Sequence, residues 1–145
     1  MKFKYSSVFA TNGTLLLDSR GKMVKRPILT LELAGKQGDK LEVIGIIDSG
    51  ADTTTLNIQY ADFLGVVLDK TKPQEIMGIG RGKVPMYRGT FAFKIKDFTE
   101  KIEVPAWYVD SENVNILLGQ EFFFEAFRIK FEKDHDTFEV TPSHR

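Results

Sequence analysis

The sequence predicts a single all-β domain with one or two short helices, and three observations support this fold class. Apolar and polar residues alternate in several short segments, as expected of strands that bury one face. Turn-forming pairs and Gly-rich stretches separate these segments at short intervals. Only residues 57–65 and 119–127 have the spacing of a helix, and both stretches are short.

The N-terminal half contains the clearest strand signals. Asn12-Gly13 suits a tight turn, which predicts an N-terminal hairpin between residues 3–11 and 14–18. After a turn at residues 19–22, Pro27 opens a strand in which leucines alternate with polar residues. A loop follows, and residues 41–47 return as a second strand, which we expect to pair with the first.

The remaining elements follow from caps, turns and alternation. Asn57 is the predicted cap of a short helix that Gly65 closes. Pro105 indicates an edge or a bulge in its strand, because proline cannot donate to a neighbour. The further predicted elements are strands at 91–96 and 102–109, a helix at 119–127, and a closing hairpin of 128–131 and 138–140 around a turn at 134–136.

Length and composition fit one domain over residues 1–145, which is long enough to bury a core. The chain has 20 basic and 20 acidic residues without a basic patch, which argues against nucleic acid or an anionic membrane as partner. Cysteine is absent, which excludes disulfides and thiol chemistry. No apolar run predicts a signal peptide or a membrane-spanning helix, so we expect a soluble, cytoplasmic protein.

The stretch from Ile44 to Gly50 carries the main functional signal. An uninterrupted apolar run ends in Asp48, followed by the small residues Ser49 and Gly50. Such a run predicts a strand covered on both faces, and Gly50 permits a sharp turn at its end. A buried, unpaired carboxylate is costly, so Asp48 must be solvated, hydrogen-bonded or matched by a second acid. A polar surface turn is the plain alternative for these residue types.

A second unusual stretch, residues 76–85, has glycines at alternate positions around Ile79. This density predicts a mobile hairpin tip or a close approach of backbone to a ligand. Two phosphate-loop motifs were tested against it. A Walker loop needs Gly at Met77 and Ser or Thr at Val84, and a dinucleotide motif needs Gly at Lys83. Both motifs are excluded.

Together, these features resemble the retropepsin-like aspartic proteases. Residues 48–52, Asp-Ser-Gly-Ala-Asp, match the signature of that family, and residues 114–123 match its second part, with the Gly-rich stretch between them. The resemblance covers residues 27–131, with the N-terminal and C-terminal hairpins as extensions. It implies a closed β-barrel or sandwich that acts as a symmetric homodimer.

The dimer also follows from the chemistry of amide hydrolysis, which needs one group to take a proton from water and another to protonate the substrate. Two close carboxylates supply both groups because they share one proton. The chain contains one Asp-Ser/Thr-Gly, and a two-lobed enzyme needs about twice its length. The second acid is therefore expected to be Asp48 of another copy, which predicts an aspartic endopeptidase active only as a dimer.

The resemblance implies roles for further residues. Ser49 is expected to interlock with its symmetry mate, and Gly78, Ile79 and Gly80 to form a flap over the substrate. The other residues with an implied role in binding an extended, apolar peptide are Gly50, Ala51, Asp52, Asn115, Ile116 and Leu117. Gln120 stands where retroviral members have an Arg that supports the second Asp of the motif.

Other candidate sites are weaker. His135 lies in a predicted turn between two aspartates, and His144 lies next to the end of the sequence, so both are interpreted as solvated residues. We infer no cofactor and no metal. The alternative function is a catalytically inactive module that uses the same fold for dimerisation or peptide binding.

Overall fold

The computed structural model describes residues 1–9, 12–71, 73–77, 83–111 and 114–143. Strands dominate these ranges, so the predicted all-β class is confirmed. The elements in chain order are β1 (Lys2–Lys4), β2 (Ser6–Ser7), β3 (Lys25–Arg26), β4 (Ile28–Ala34), β5 (Lys40–Ile47), β6 (Thr54–Asn57), α1 (Gln59–Leu64), β7 (Gln74–Met77), β8 (Lys83–Ile95), β9 (Lys101–Val109), β10 (Ile116–Leu118), α2 (Phe123–Ala126), β11 (Phe127–Glu132), a 3₁₀ turn (Lys133–His135) and β12 (Thr137–Pro142).

The largest sheet closes into a six-stranded barrel. Its strand order is β4-β5-β10-β6-β9-β8-β7, and β4 also pairs with β8 through Leu31 opposite Ile95. The alternation predicted for β4 is observed, because Leu29, Leu31 and Leu33 all point into the core. Gly45 of β5 admits this packing, since a Cβ there would lie 2.9 Å from Leu31 Cδ1. The pairing of β4 with β8 closes the barrel and satisfies backbone groups that would otherwise be unpaired at the edge of a sheet.

The strand β10 separates two strands that are consecutive in the chain. It lies between β5 and β6, parallel to β5 with Leu118 opposite Ile47, and antiparallel to β6 with Leu117 opposite Thr55. The connection between β5 and β6, residues 48–53, must therefore pass over the end of β10. This places the Asp48 turn directly against the residues that follow Leu118.

The N-terminal segment differs from the predicted hairpin. Strand β1 pairs with β12, with Phe3 opposite Phe138, and forms a three-stranded sheet with the closing hairpin β11–β12, which was predicted correctly. Strand β2 pairs with β3, and only the inner part of the predicted hairpin forms, as an isolated antiparallel bridge between Phe9 and Leu15 and a hydrogen bond from Leu16 N to the Val8 carbonyl at 3.0 Å. The physical reason is aromatic burial: Phe3 stacks on Phe138 and Phe98, contacts that a local hairpin cannot offer.

The two helices are confirmed, with corrected boundaries. Helix α1 begins after Ile58, one residue later than predicted, and Asn57 Oδ1 accepts a hydrogen bond from Gln59 N at 2.9 Å, as expected of a side chain that caps the start of a helix. Gly65 closes α1 in the left-handed conformation, as predicted. The helix predicted at 119–127 is reduced to α2. Phe122 has a positive φ of 63°, and the residues before it are held against the Asp48 turn instead of continuing a helix.

The prediction for Pro105 is corrected, because β9 lies between β8 and β6 and pairs with β8 without a bulge; Pro105 lies only at a local end of pairing. Strand β9 pairs with β8 over its whole length, but with β6 only from Ala106 onward. Pro105 therefore lies just outside the paired part on that side, where its missing N–H costs no ladder hydrogen bond.

Candidate active site

Asp48 lies where the buried strand β5 gives way to a tight turn. Its backbone N–H donates to the Leu118 carbonyl at 3.0 Å, which fixes the turn to the end of β10. Gly50 N donates to Asp48 Oδ1 at 3.0 Å, and Ala51 N donates to the Asp48 carbonyl at 3.2 Å. The Asp48 side chain is half-buried, while Ser49 and Gly50 are exposed. The carboxylate is thus held in one orientation at an accessible point of the surface.

Residues 119–121 fasten the turn from the other side. Gln120 N donates to the Ala51 carbonyl and Glu121 N to the Asp52 carbonyl, each at 2.8 Å. The Gln120 side-chain amide also donates to the Ser49 carbonyl. Three hydrogen bonds thus tie two distant chain segments into one layer.

Gly119 and Thr54 form the buried base of the site. Gly119 N donates to Thr54 Oγ1 at 3.1 Å, and Thr54 is the one buried polar residue among those described. A Cβ at Gly119 would lie 2.5 Å from the Thr53 carbonyl carbon and 2.8 Å from the Ala51 oxygen, so only glycine fits. Sequence reasoning gave Thr54 no role. Its only signal was a run of threonines, which is also common in ordinary strands.

The structure brings most of the predicted site residues together. Ser49, Gly50, Ala51 and Asp52 lie on the Asp48 turn, with Asp52 exposed. Beside them, Leu117 is half-exposed on β10, Asn115 is exposed just before that strand, and Ile116 is buried in the core. Ile116 therefore contributes packing to the barrel interior. Gly78, Ile79 and Gly80 lie outside the described residues.

Beside Asp52, an open groove contains two further carboxylates, Glu121 and Glu125, together with Phe124. Thr53 Oγ1 donates to Glu121 Oε2 at 3.3 Å. Gln120 is uncharged and binds the Ser49 carbonyl, so it does not neutralise this surface. The groove therefore has acidic walls next to the Asp48 turn.

Of the weaker candidates, residues 134–136 behave as surface residues, and His144 lies outside the described residues. His135 Nε2 lies 3.4 Å from Asp134, and both side chains are exposed. A hydrogen bond from Lys133 lowers the pKa of Asp136. Within the described ranges, no group of three or more His, Cys, Asp or Glu side chains could hold a metal ion. The helices in those ranges are all too short or too polar to cross a membrane.

Comparisons with known proteins agree with this geometry. A sequence profile of the aspartyl protease family matches residues 32–122, which include the Asp48 turn, β10 and Gly119. No curated protein matches the chain. A retropepsin-like aspartic protease from Rickettsia conorii has a similar structure, with a TM-score of 0.54 and 15% identity over 88% of this chain and 95% of that one. This chain therefore belongs to the aspartyl protease family and has the retropepsin-like fold.

Proposed function

We propose that this protein is an aspartic endopeptidase whose active site contains Asp48 from each of two identical chains. The observation that carries the proposal is the anchoring of the Asp48 turn to β10 by the hydrogen bond to the Leu118 carbonyl. Together with the contact from Gly50, it keeps a half-buried carboxylate oriented. Membership of the aspartyl protease family supports peptide hydrolysis as the reaction.

The second copy is required by the chemistry. One carboxylate cannot remove a proton from water and protonate the substrate carbonyl in the same step. In a two-fold dimer, both Asp48 side chains lie near the axis and share one proton, because two negative charges at that distance repel. The ionised Asp48 then takes a proton from water, whose oxygen attacks the carbonyl carbon. The protonated Asp48 gives its proton to the carbonyl oxygen, which forms a diol intermediate. The Asp48 that took the proton from water then passes it to the leaving nitrogen, and a hydroxyl of the intermediate returns a proton to the other Asp48. The C–N bond breaks, which releases an amine and a carboxylic acid and restores the shared proton.

The proposed substrate is an extended peptide with bulky apolar residues around the cleaved bond. Gly50 and Asp52 are exposed, and we propose that the Gly50 carbonyl and the Asp52 N–H bind the backbone of a strand-like ligand, while Leu117 offers an apolar wall. We propose that Gly78–Gly80 closes over the bound peptide as a flap. A coupled acid pair gives a bell-shaped dependence of kcat/KM on pH.

The first test compares the wild-type protein with the isosteric Asp48→Asn variant on a peptide library between acidic and neutral pH. We expect cleavage by the wild type and none by the variant. Equal cleavage by both proteins would contradict the proposal. Cleavage by neither protein, with an intact dimer in light scattering, would favour the catalytically inactive module.

A second test asks whether the site is shared between chains. Wild-type and Asp48→Asn chains are unfolded together, refolded at equal amounts and assayed. If only wild-type pairs are active, the mixture retains about one quarter of the activity of wild type at the same total concentration. A value near one half would mean that each chain carries a complete site, which contradicts the dimeric mechanism.

A further inference from the structure

We propose that the N-terminal arm, residues 6–9 and 12–26, forms part of the contact between two copies of this chain. The proposal rests on the proposed function, because the pairing of two Asp48 side chains is what requires a second copy. It adds a specific surface to that dimer, outside the part of the chain that matches the family profile.

The arm is a preformed unit. Val8 N donates to the Val24 carbonyl at 3.1 Å, Val24 N to the Leu16 carbonyl at 2.8 Å, and Leu16 N to the Val8 carbonyl at 3.0 Å. These three hydrogen bonds close a ring that holds three passes of the chain together. The side chains of the arm are therefore presented on a defined backbone, and little conformational entropy is lost when they dock.

Five large apolar side chains of the arm are exposed to solvent, and four of them share one face. Phe9 lies opposite Leu15 and Leu17 lies opposite Met23. Leu15 and Leu17 point to the same side because side chains alternate along an extended chain, so these four residues make one contiguous group, the arm patch. Leu16 points to the other side. The five residues are 40–62% exposed. Single exposed apolar residues are normal, but a contiguous group indicates an interaction surface.

The arm lies at the Asp48 end of the barrel. Pro27 alone separates β3 from β4, and its carbonyl accepts a hydrogen bond at 2.9 Å from Ile47 N, next to Asp48. The base of the arm at Arg26 is therefore next to the Asp48 turn, where the proposed dimer also places the partner's Asp48.

The distances fit a dimer contact. Met23 precedes Pro27 by four residues, a reach of about 13 Å at roughly 3.3 Å per residue. A stable interface buries about 800 Å² on each partner, equivalent to a disc of roughly 16 Å radius. If Asp48, beside Pro27, is at its centre, Met23, the member of the arm patch nearest to Pro27 in the chain, falls within this contact.

The test is the dimer dissociation constant from sedimentation velocity over a range of concentrations. The triple variant Phe9→Ser/Leu15→Ser/Leu17→Ser should raise Kd at least about 100-fold, since it removes three interface side chains. The control is Ile44→Ser on β5, because Ile44 and Leu17 are both 58% exposed and Ile44 lies on the barrel wall behind Asp48. Its Kd should stay within about twofold of wild type. Urea midpoints of the isolated monomers check that all variants fold.

Thiol labelling tests the contact directly, since the chain has no cysteine of its own. Alkylation of Leu17→Cys should slow at least about fivefold from concentrations below Kd to concentrations above it. Ile44→Cys should react at the same rate at both concentrations. Equal rates for Leu17→Cys at both concentrations would overturn the proposal.

The outcomes separate the arm from the active site. An unchanged Kd in the triple variant would overturn the role of the arm, and would also be the result if another protein or a lipid surface covered the patch. Loss of cleavage in Asp48→Asn would still support the protease. An arm-dependent dimer that cleaves no peptide would support the arm and overturn the proposed function. A wild type that is monomeric at every concentration would overturn both.

Discussion

Two turns of this chain begin with the same residues, Asp-Ser, and are built by the same local hydrogen bond. In the arm, Asp18 Oδ1 accepts from Arg20 N at 2.8 Å, two residues further on. At the end of β5, Asp48 Oδ1 accepts from Gly50 N at 3.0 Å in the same way. The short-range chemistry of the two turns is therefore alike.

Their surroundings separate them. The Arg20 guanidinium lies 2.9 Å from Asp18 and, with backbone N–H groups of Lys22 and Arg20, lowers the pKa of Asp18 to about 2. Asp48 forms no ion pair within the described part of the chain, and its turn is bound to β10 and to residues 119–121. One aspartate is thus neutralised locally at the surface, while the other is anchored to the barrel. The Asp-Ser motif alone therefore indicates only a turn. The hydrogen bonds that fix the Asp48 turn to the barrel make that turn the candidate site.

The largest expected difference is catalytic. Asp48→Asn should lower kcat/KM at least about 1,000-fold, because it removes a group that transfers protons in the reaction. Asp18→Asn keeps the backbone hydrogen bonds of its turn and should change kcat/KM by less than about twofold. Initial rates on one peptide substrate measure both effects. A loss of similar size in Asp18→Asn would show that the two turns are not distinct in function.

The second difference concerns glycine. Gly119→Ala should destabilise the protein by about 3 kcal/mol or more, because its Cβ would overlap the Thr53 carbonyl. Gly21, in the arm turn, has a φ of 77° and open space around it, so Gly21→Ala should cost about 1 kcal/mol of backbone strain. Urea unfolding measures both free energies. If Gly21→Ala lowered the free energy of unfolding more than Gly119→Ala, the close contact at Gly119 would be contradicted.

The third difference is between a buried and an exposed hydroxyl. Thr54→Val should cost about 1–3 kcal/mol, because it leaves the buried Gly119 N–H without an acceptor. Thr54→Ser keeps the hydroxyl and should recover part of that loss. The Thr14 hydroxyl binds Asn12 Oδ1 at the surface of the arm. Thr14→Val should therefore lower the free energy of unfolding by less than about 0.5 kcal/mol. If urea unfolding gave the same loss of stability for Thr54→Val and Thr14→Val, the proposed buried base of the site would be wrong.

The smallest effect is a pH dependence of stability. The pKa of Asp18 is lowered from 3.8 to about 2 in the folded protein, first by the Arg20 side chain. The stabilisation is therefore complete above about pH 4 and is lost as the pH falls through the folded pKa. The difference between wild-type and Asp18→Asn urea midpoints should be constant above that pH and shrink towards pH 2. A difference that persists at pH 2 would mean that Arg20 does not hold this carboxylate.

Local features of the fold were predictable, and long-range pairing was not. The alternation of Leu29, Leu31 and Leu33 identified β4, and Gly65 identified the end of α1, because both signals lie within a few residues. The closure of β4 on β8 joins Leu31 to Ile95, and nothing in either segment specifies the other. The pairing of β1 with β12 was missed for the same reason: Phe3 gains its aromatic partners from the far end of the chain.

The candidate site divides in the same way. Sequence reasoning identified Asp48 and its neighbours on the turn, whereas the roles of Gly119 and Thr54 depend on a contact across 65 residues. It also predicted too long a helix after Gly119, because the backbone of Gln120 and Glu121 is bound to the Asp48 turn.

The sequence by itself determined that an apolar strand ends in a single acid, followed by residues small enough for a tight turn. It also determined that one chain supplies one such acid, because the motif occurs once. Only the tertiary structure decided that β10 separates β5 from β6 and that the arm begins beside Asp48. Turn formation depends on neighbouring residues, whereas strand insertion and the position of the arm depend on contacts between segments far apart in the chain.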